Sequence, residues 1–456
     1  MKRQVRSSRR RSTHLLALSA WRVRLVFWSG AVIVGLVSAL FALGAQWAEH
    51  LFAQGASRWP WMPLVLTPLG LGLIAWITVR FVPQSKGSGI PQAIAALKAH
   101  TSDEMRDSVL SLRVAAAKIA LTILGLACGA SIGREGPTVH VGAAVMHSLG
   151  RLAHFPAHYM ERGLIMAGGA AGVAAAFNTP LAGVMFAIEE MGRSYDKRTG
   201  SVVLVAVMLA GITAMLVMGN YHYFGSTSAS IDNVLSIWYV IVTCGVAGGV
   251  LGGLFSTALI HGGRVMAPAY IRHPVLIAMA CGLAVAVIGV VSGAGIYGTG
   301  YHEAKAILDG GGDGHDLLYP LWKLLATIMS YLSGIPGGIF APSLSTGAGF
   351  GAGMAEAFPH VAFGSVVLLG MVGYFSGVVQ TPITAFIIVM EMTDNQDMIL
   401  PLMATSLIAA GASRFVCPRP IYGAMADTFL ATLRQGRKPD GGVDPADHHD
   451  APPPRR

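Results

Sequence analysis

The stretch Ala130-Ser-Ile-Gly-Arg-Glu-Gly-Pro-Thr-Val-His-Val141 decides how the rest of this chain is read. It lies between two strongly apolar segments, Val109–Cys128 and Val141–Leu149, and therefore at membrane depth. Yet it carries an arginine, a carboxylate, two glycines and a proline. Charged side chains in hydrocarbon are costly and usually functional. Irregular backbone survives there only where it is buried in protein or lines a polar cavity. Pro137 suits the first turn of a helix, where the N–H it lacks is no loss. The spacing predicts a helix whose N-terminal amides, and the positive end of whose dipole, point back at the glycine-flanked Glu135. That geometry holds an anion, either the Glu135 carboxylate itself or an ion that replaces it.

Working outward, composition sets the class. Of 456 residues, 53% are hydrophobic and 12% charged, against about 25% charged in a soluble domain. The apolar runs are helix-length and rich in Gly, Ala and Leu, without the ten-residue alternation of a β-barrel. The expectation is an all-α polytopic membrane protein. Cys128, Cys244, Cys281 and Cys417 lie in apolar surroundings without metal spacing and read as small core residues; no disulfide framework, metal or cofactor is expected.

The formal net charge is +9, and its placement matters more than its sum. Lys2, Arg3, Arg6, Arg9, Arg10, Arg11, Arg22 and Arg24 all precede the first long apolar run, about Leu25 to Leu51. That run is too long for a signal h-region. The basic cluster reads as topogenic rather than as a nucleic-acid arm, and puts the N-terminus in the cytoplasm. Arg414, Arg419, Arg434, Arg437 and Lys438 place the other end on the same side, which requires an even number of crossings. Four parts follow: a basic cytoplasmic segment at 1–22, membrane repeats at 23–220 and 221–433, and a disordered cytoplasmic tail at 434–456. No soluble regulatory domain fits after the last apolar segment, near 397–416. Several apolar segments fall well under the ~20 residues a spanning helix needs. Short segments interrupted by Gly and Pro mark broken helices that meet at a midplane site.

An internal repeat supports this reading. Asn178-Thr-Pro-Leu-Ala-Gly-Val-Met-Phe-Ala-Ile-Glu-Glu-Met191 aligns with Gln380-Thr-Pro-Ile-Thr-Ala-Phe-Ile-Ile-Val-Met-Glu-Met-Thr393. Gly133-Arg-Glu-Gly-Pro-Thr138 aligns with Gly338-Ile-Phe-Ala-Pro-Ser343, and Gly87-Ser-Gly-Ile90 more weakly with Gly298-Thr-Gly-Tyr301. The offsets are 202, 205 and 211 residues, and the order is kept. The repeat also separates scaffold from chemistry. Glu189 has a counterpart in Glu391, which suggests a shared structural role such as a helix end. Glu190 instead faces Met392, and Glu135 faces Phe340. Where one half carries a proton-titratable group and the other an apolar one, function is the expectation.

Gly87-Ser-Gly-Ile-Pro91, Gly133-Arg-Glu-Gly-Pro137, Gly337-Gly-Ile-Phe-Ala-Pro342 and Tyr422 within Arg-Pro-Ile-Tyr together resemble the CLC family of chloride channels and proton/chloride exchangers, in its prokaryotic form without C-terminal CBS domains. The match runs in order from roughly Arg22 to Leu433. It implies two inverted repeats of tilted and broken helices, assembled as a homodimer with one pore per subunit in the inner membrane. The Ser88 and Tyr422 hydroxyls would hold the central anion, helped by the backbone N–H groups of Ile339 and Phe340. Glu135 would be the external gate. Glu190 falls where exchangers of the family place their internal proton-handling glutamate, a position that channels commonly lack.

The residue chemistry supports the same reading. A desolvated chloride must recover a loss whose Born estimate is tens of kcal/mol. A lysine salt bridge would recover it and also trap the ion, whereas conduction needs weak multi-site binding. Hydrogen bonds to a charged partner give about 1.5–3 kcal/mol each and one helix dipole up to ~2 kcal/mol, so several loop amides, two hydroxyls and several helix termini must converge. Ionised Glu135 mimics the halide in that site; protonated, it leaves and admits the anion. Glu190, before the charged loop Met191–Arg198, is placed to pass protons between cytoplasm and interior. Lys118, alone in its apolar run, reads either as a buried counter-charge or as a snorkelling lysine, and His140, His448 and His449 as polar filler.

The expected function is exchange of chloride for protons, with the lipid bilayer as environment and no nucleic acid involved. A passive gated anion channel on the same scaffold is the alternative. A fluoride-selective exchanger fits the Ser88 and Tyr422 motifs less well. An intramembrane enzyme is disfavoured, since the membrane segments contain no His-Glu-x-x-His, Gly-x-Ser-x-Gly or Walker loop.

Overall fold

In the computed structural model, the described residues are 18–98, 101–153, 157–192, 197–219, 223–227, 229, 237–293, 295–310 and 317–435. Most of the N-terminal basic cluster, the loop around Arg193, the junction between the expected repeats and the tail from 436 lie outside them. The regular secondary structure among the described residues is all helical, with no strand and only two isolated bridges, both between loops. Among the described residues, six helical segments are long and apolar enough to cross a membrane, counting Asp103–Ala127 as one despite the break at 110–111. Shorter apolar helices such as Phe363–Val379 and Pro382–Met392 accompany them.

The first helix, α1 (Leu18–Arg58), begins before the expected boundary at residue 22 and continues past the apolar run to Arg58. Helices α2 (Met62–Phe81), α3 (Ile90–Leu97), α4 (Asp103–Val109) and α5 (Leu112–Ala127) follow. The predicted apolar segment 109–128 is interrupted at its start, for a local reason. The Ser102 and Ser111 hydroxyls accept from the amides of Met105 and Val114 and cap two separate helices. Next come α6 (Glu135–Leu152), α7 (Ala157–Phe177), α8 (Pro180–Phe186), a π-helical turn at Ala187–Gly192, and α9 (Lys197–Met218).

The second half repeats this series. Helix α10 (Trp238–Arg272) runs twelve residues beyond the apolar segment predicted at 235–260, past Pro268, with His261 and Arg264 exposed. At 1.5 Å per residue it is roughly 50 Å long, more than a ~30 Å hydrocarbon core requires. Then follow α11 (Pro274–Val291), α12 (Tyr301–Leu308), α13 (Tyr319–Leu332), α14 (Phe340–Ala357), α15 (Phe363–Val379), α16 (Pro382–Met392), α17 (Ile399–Val416) and α18 (Ile421–Gln435). The matched pairs agree closely: α3 and α12 have 8 residues each, α6 and α14 have 18 each. Asn178 and Gln380, equivalent in the repeat, are both left-handed (φ 57° and 58°) just before the Thr-Pro that starts α8 and α16.

Packing follows the same symmetry. Helix α6 lies on α7 as α14 lies on α15, the two most extensive pairings among the described helices. Both are built on glycine. A Cβ on Gly142 would fall 2.2 Å from the Gly168 carbonyl oxygen, and one on Gly370 2.3 Å from the Gly351 Cα. Small residues let backbones approach where no hydrophobic force acts between helices in lipid.

The halves also clasp each other reciprocally. The Glu391 carboxylate, at the end of α16, accepts from the amides of Leu181 (3.0 Å) and Ala182 (2.7 Å) at the start of α8. Its counterpart Glu189 accepts from the amides of Ile383 (3.2 Å) and Thr384 (2.7 Å) at the start of α16. Each half thus caps a helix of the other, placing a carboxylate against the positive end of its dipole. The helix-end role expected from the repeat is realised across the interface rather than within each helix. Loss of such a cap costs about 0.5–2 kcal/mol. Glu391→Ala is therefore expected to lower the thermal unfolding midpoint in detergent, and Glu189→Ala to do the same. An unchanged midpoint in both variants would remove the clasp from the stability of the fold.

Candidate functional site

Three of the four motifs meet as backbone. Gly133 N donates to Gly338 O and Gly338 N to Gly133 O, both at 2.7 Å. Gly87 N donates to Ile335 O at 3.2 Å, and Gly337 N returns a bond to Gly87 O at 3.3 Å. The reciprocal Gly133–Gly338 pair is what a local twofold axis between the halves produces, as the inverted-repeat expectation requires. Each loop then opens a helix: the Gly87–Gly89 loop starts α3, Gly133–Arg134 starts α6, and Gly337–Ile339 starts α14. Ile339 is the N-cap of α14 and Phe340 its first residue, so their amides are among those a helix leaves without intrahelical acceptors.

The approach is so close that side chains would block it. A Cβ on Gly136 would stand 2.1 Å from Ser88 Oγ, and one on Gly133 2.3 Å from Glu135 Oε2. Ser88 therefore lies against the first turn of α6. The built Gly133 position is also 3.4 Å from Ala341 N, so the Glu135 carboxylate sits beside the opening turn of α14. Glu135 is itself the first residue of α6, and Pro137 lies in its first turn as expected. Its nearest cation is Arg134, whose Nε is 3.9 Å from Oε1, too far for a hydrogen bond. Neither carboxylate oxygen closes a hydrogen bond among the described residues.

Tyr422, the second residue of α18, completes the cluster. Its ring meets Phe340 edge-on, with centroids 5.6 Å apart, and Phe177, Phe186 and Phe375 pack around Phe340 in turn. Tyr422 is 0% exposed, which excludes an interfacial belt position. Its hydroxyl and that of Ser88 find no partner among the described residues. Buried polar atoms are nearly always satisfied. Two buried hydroxyls without a partner, and the amides of a helix start, can all donate hydrogen bonds to an anion. Helix α18 packs against α3, so Tyr422 and Ser88 belong to one neighbourhood, and the charges of Glu190 and Glu135 both reach Tyr422.

Glu190 sits apart from this cluster, on the π-helical turn Ala187–Gly192, which packs against α3 and α7. At 5% exposure it is not a solvated charge at a helix end. Single π turns recur at functional positions. Here the wider turn sets two adjacent glutamates to different tasks: Glu189 to the cap of α16, Glu190 to the interior.

Lys118 is fully buried, and its Nζ donates to Gly87 O at 3.0 Å. It does not snorkel. It anchors the carbonyl side of the loop that carries Ser88. Sequence reasoning missed its equivalent, Lys323, 205 residues on, whose Nζ donates to Ile296 O (2.9 Å), Tyr297 O (3.3 Å) and Gly298 O (2.9 Å). The signal was present, because that offset is the one relating Gly133 to Gly338. His140 is buried with Nε2 3.0 Å from Val109 O, a structural role. All four cysteines are buried thiols.

Comparison with known proteins agrees with this geometry. Residues 70–414 match the family described as "Voltage gated chloride channel". The chain belongs to the CLC family. A relative named "H(+)/Cl(-) exchange transporter ClcA", from Yersinia pestis bv. Antiqua (strain Angola), is 30% identical over 437 residues, covering 89% of this chain and 87% of that protein. The crystal structure of a slow cyanobacterial Cl⁻/H⁺ antiporter superimposes with a TM-score of 0.79 at 26% identity, covering 91% of this chain and 99% of the other. A CLC-type fluoride/proton antiporter shares the fold, with a TM-score of 0.74 at 22% identity, covering 88% of this chain and 96% of the other. The chain is thus a multi-pass membrane protein of the CLC fold.

Proposed function

We propose that this CLC protein is a secondary active exchanger of chloride for protons. The observation that carries the reading is the pair of buried carboxylic acids, Glu135 and Glu190, present in one half of a duplicated chain only. Phe340 and Met392 stand in their places in the other half. A channel needs no second buried acid. An exchanger needs one acid at the anion site and another for the proton's separate route.

The steps follow from the geometry. With Glu135 ionised, its carboxylate fills the space beside the α14 amides and no halide enters. Protonation removes its charge and with it the attraction to those amides, and the side chain leaves. Chloride then takes hydrogen bonds from the Ser88 and Tyr422 hydroxyls and the Ile339 and Phe340 amides. Glu190 supplies or receives the proton on the cytoplasmic side, so protons and anions share only the Glu135 region. No metal or organic cofactor takes part; chloride is substrate.

The basic N-terminal segment supports a cytoplasmic N-terminus, and Arg414, Arg419, Arg434, Arg437 and Lys438 support a C-terminus on the same side, with the chain in the inner membrane. Two copies of the chain pair in the bilayer. Proteoliposomes loaded with chloride and followed with a proton electrode test the function directly. A chloride gradient is expected to drive protons uphill, and chloride flux without proton movement would replace the exchanger with a channel.

The anion site is tested separately. Tyr422→Ala removes one hydroxyl donor and part of the Phe340 cage. A hydrogen bond to an ion is worth about 1.5–3 kcal/mol, so chloride binding measured by calorimetry is expected to weaken at least about tenfold. Crystals grown in bromide should lose density next to residue 422. Bromide remote from Ser88, Phe340 and Tyr422 would place the site elsewhere.

A further inference from the structure

A cavity of about 250 Å³ opens near the end of α1 far from the N-terminus, lined in part by Gln46, Glu49, Arg134, Tyr223, Thr299 and Tyr301. Arg134 ties it to the gate, since this is the side chain that approaches Glu135. Thr299 ties it to the internal symmetry, because Gly298-Thr-Gly-Tyr301 is the second-half equivalent of Gly87-Ser-Gly-Ile90. The two loops behave alike. Each precedes an eight-residue helix through a glycine N-cap with positive φ (Gly89 at 104°, Gly300 at 78°). Each has its carbonyls held by a buried lysine, Lys118 or Lys323.

They differ in what the loop faces. In the first half the Ser88 hydroxyl is without a partner at the anion site. In the second half the equivalent loop is taken by a carboxylate of this chain: Thr299 N donates to Glu49 Oε1 at 2.6 Å. A Cβ on Gly298 would lie 2.8 Å from the same oxygen. Glu49 thus occupies the mirror image of the anion loop, on the opposite side of the twofold, in a cavity that reaches the gate's arginine.

The charged and titratable groups around Glu49 come from every neighbouring element. They are Arg134 and Glu135 at the start of α6, Tyr223, then Tyr301, His302 and Glu303 on α12, and Lys323 on α13. The charge of Glu49 reaches Glu135, Glu303 and Lys323. We propose that Glu49 is the outer proton-loading carboxylate of the exchanger, taking a proton from solvent in this cavity and delivering it to Glu135. The inference rests on the exchange reading above. In the step, the O–H bond on Glu49 breaks as one forms on a Glu135 oxygen, directly or through water in the cavity. Glu49 returns to an ionised carboxylate stabilised by the Thr299 amide and Arg134, and solvent reloads it. Nothing is oxidised or reduced.

The experiment compares wild-type protein with E49Q and E49A in proteoliposomes, reading chloride and proton flux across a range of external pH. Glutamine at 49 keeps an acceptor for the Thr299 amide but has no proton to give. Coupled exchange in E49Q is expected to slow several-fold, with its dependence on external pH altered, because the carboxylate that loads Glu135 from solvent is gone. Chloride affinity by calorimetry should be unchanged. E49D should recover part of the rate. A wild-type rate and pH profile in E49Q, with a defect only in E49A, would make Glu49 a loop cap and overturn the proposal. Wild-type protein that exchanges no protons would instead overturn the reading on which it depends.

Discussion

Proton transport driven by a chloride gradient is expected to disappear in Glu135→Gln, while chloride flux persists. Glutamine nearly preserves the volume of a side chain that is completely buried, so the loop crossing at Gly133 and Gly338 need not change. What is lost is the ionised state. The neutral amide of the variant carries no charge with which to compete for the start of α14, and no proton to exchange. Chloride movement should therefore become passive and insensitive to external pH, and chloride affinity should rise because its competitor is gone. Proton flux should fall to the leak of protein-free liposomes. A Glu135→Gln protein that still pumps protons, or whose chloride flux keeps the wild-type pH dependence, would show that this carboxylate is not the gate.

Glu190→Gln is expected to give the second large effect by a different route. Chloride still enters, since Ser88, Tyr422 and the α14 amides are untouched, and bromide density at the site should be retained. Protons, however, lose their cytoplasmic acid. Proton flux should again fall to the leak, while external pH still modulates chloride flux through Glu135. This last difference separates the two variants. Glu190 shares its π turn with Glu189, whose carboxylate caps α16; an unchanged thermal midpoint in Glu190→Gln will show that the clasp is intact. Undiminished proton movement would sink the exchanger assignment, because among the described residues no other buried acid faces an apolar residue in the repeat so near the cytoplasmic loop.

The reciprocal clasp and the paired lysines show what the duplication adds physically. Each half leaves groups that its own helix hydrogen bonds do not satisfy: amides at the start of α8 and α16, and carbonyls in the loops before α3 and α12. The first are met by the other half, through Glu391 and Glu189. The second are met within each half by a buried ammonium. In lipid, where water cannot stand in, such groups must be satisfied by protein. The proposed anion site is where such satisfaction stops: the buried Ser88 and Tyr422 hydroxyls have no partner among the described residues.

Much of this was legible in the amino-acid sequence. Hydrophobic composition and segment length determined an all-helical membrane protein, and the Gly-Pro motifs in order determined the family. The repeat separated Glu189, with its partner Glu391, from Glu135 and Glu190, which have none. Burial periodicity was less informative. The short helices α3, α12 and α18 are not readable as apolar spans, because eight to fifteen residues opening on Gly-x-Gly or Pro-Ile are too short to cross a membrane. Lys323 escaped notice because a lysine in an apolar run looks the same whether it snorkels or is buried.

Only the tertiary structure decided which residues meet. Sequence patterns report periods along one chain segment, whereas the loops at 88, 135 and 340 come together through backbone bonds made mainly by glycines, and Tyr422 joins them by packing on Phe340. The placement of Glu49 against Thr299 is of the same kind. Those two residues are 250 positions apart, and nothing local to either indicates that a twofold axis will bring them together.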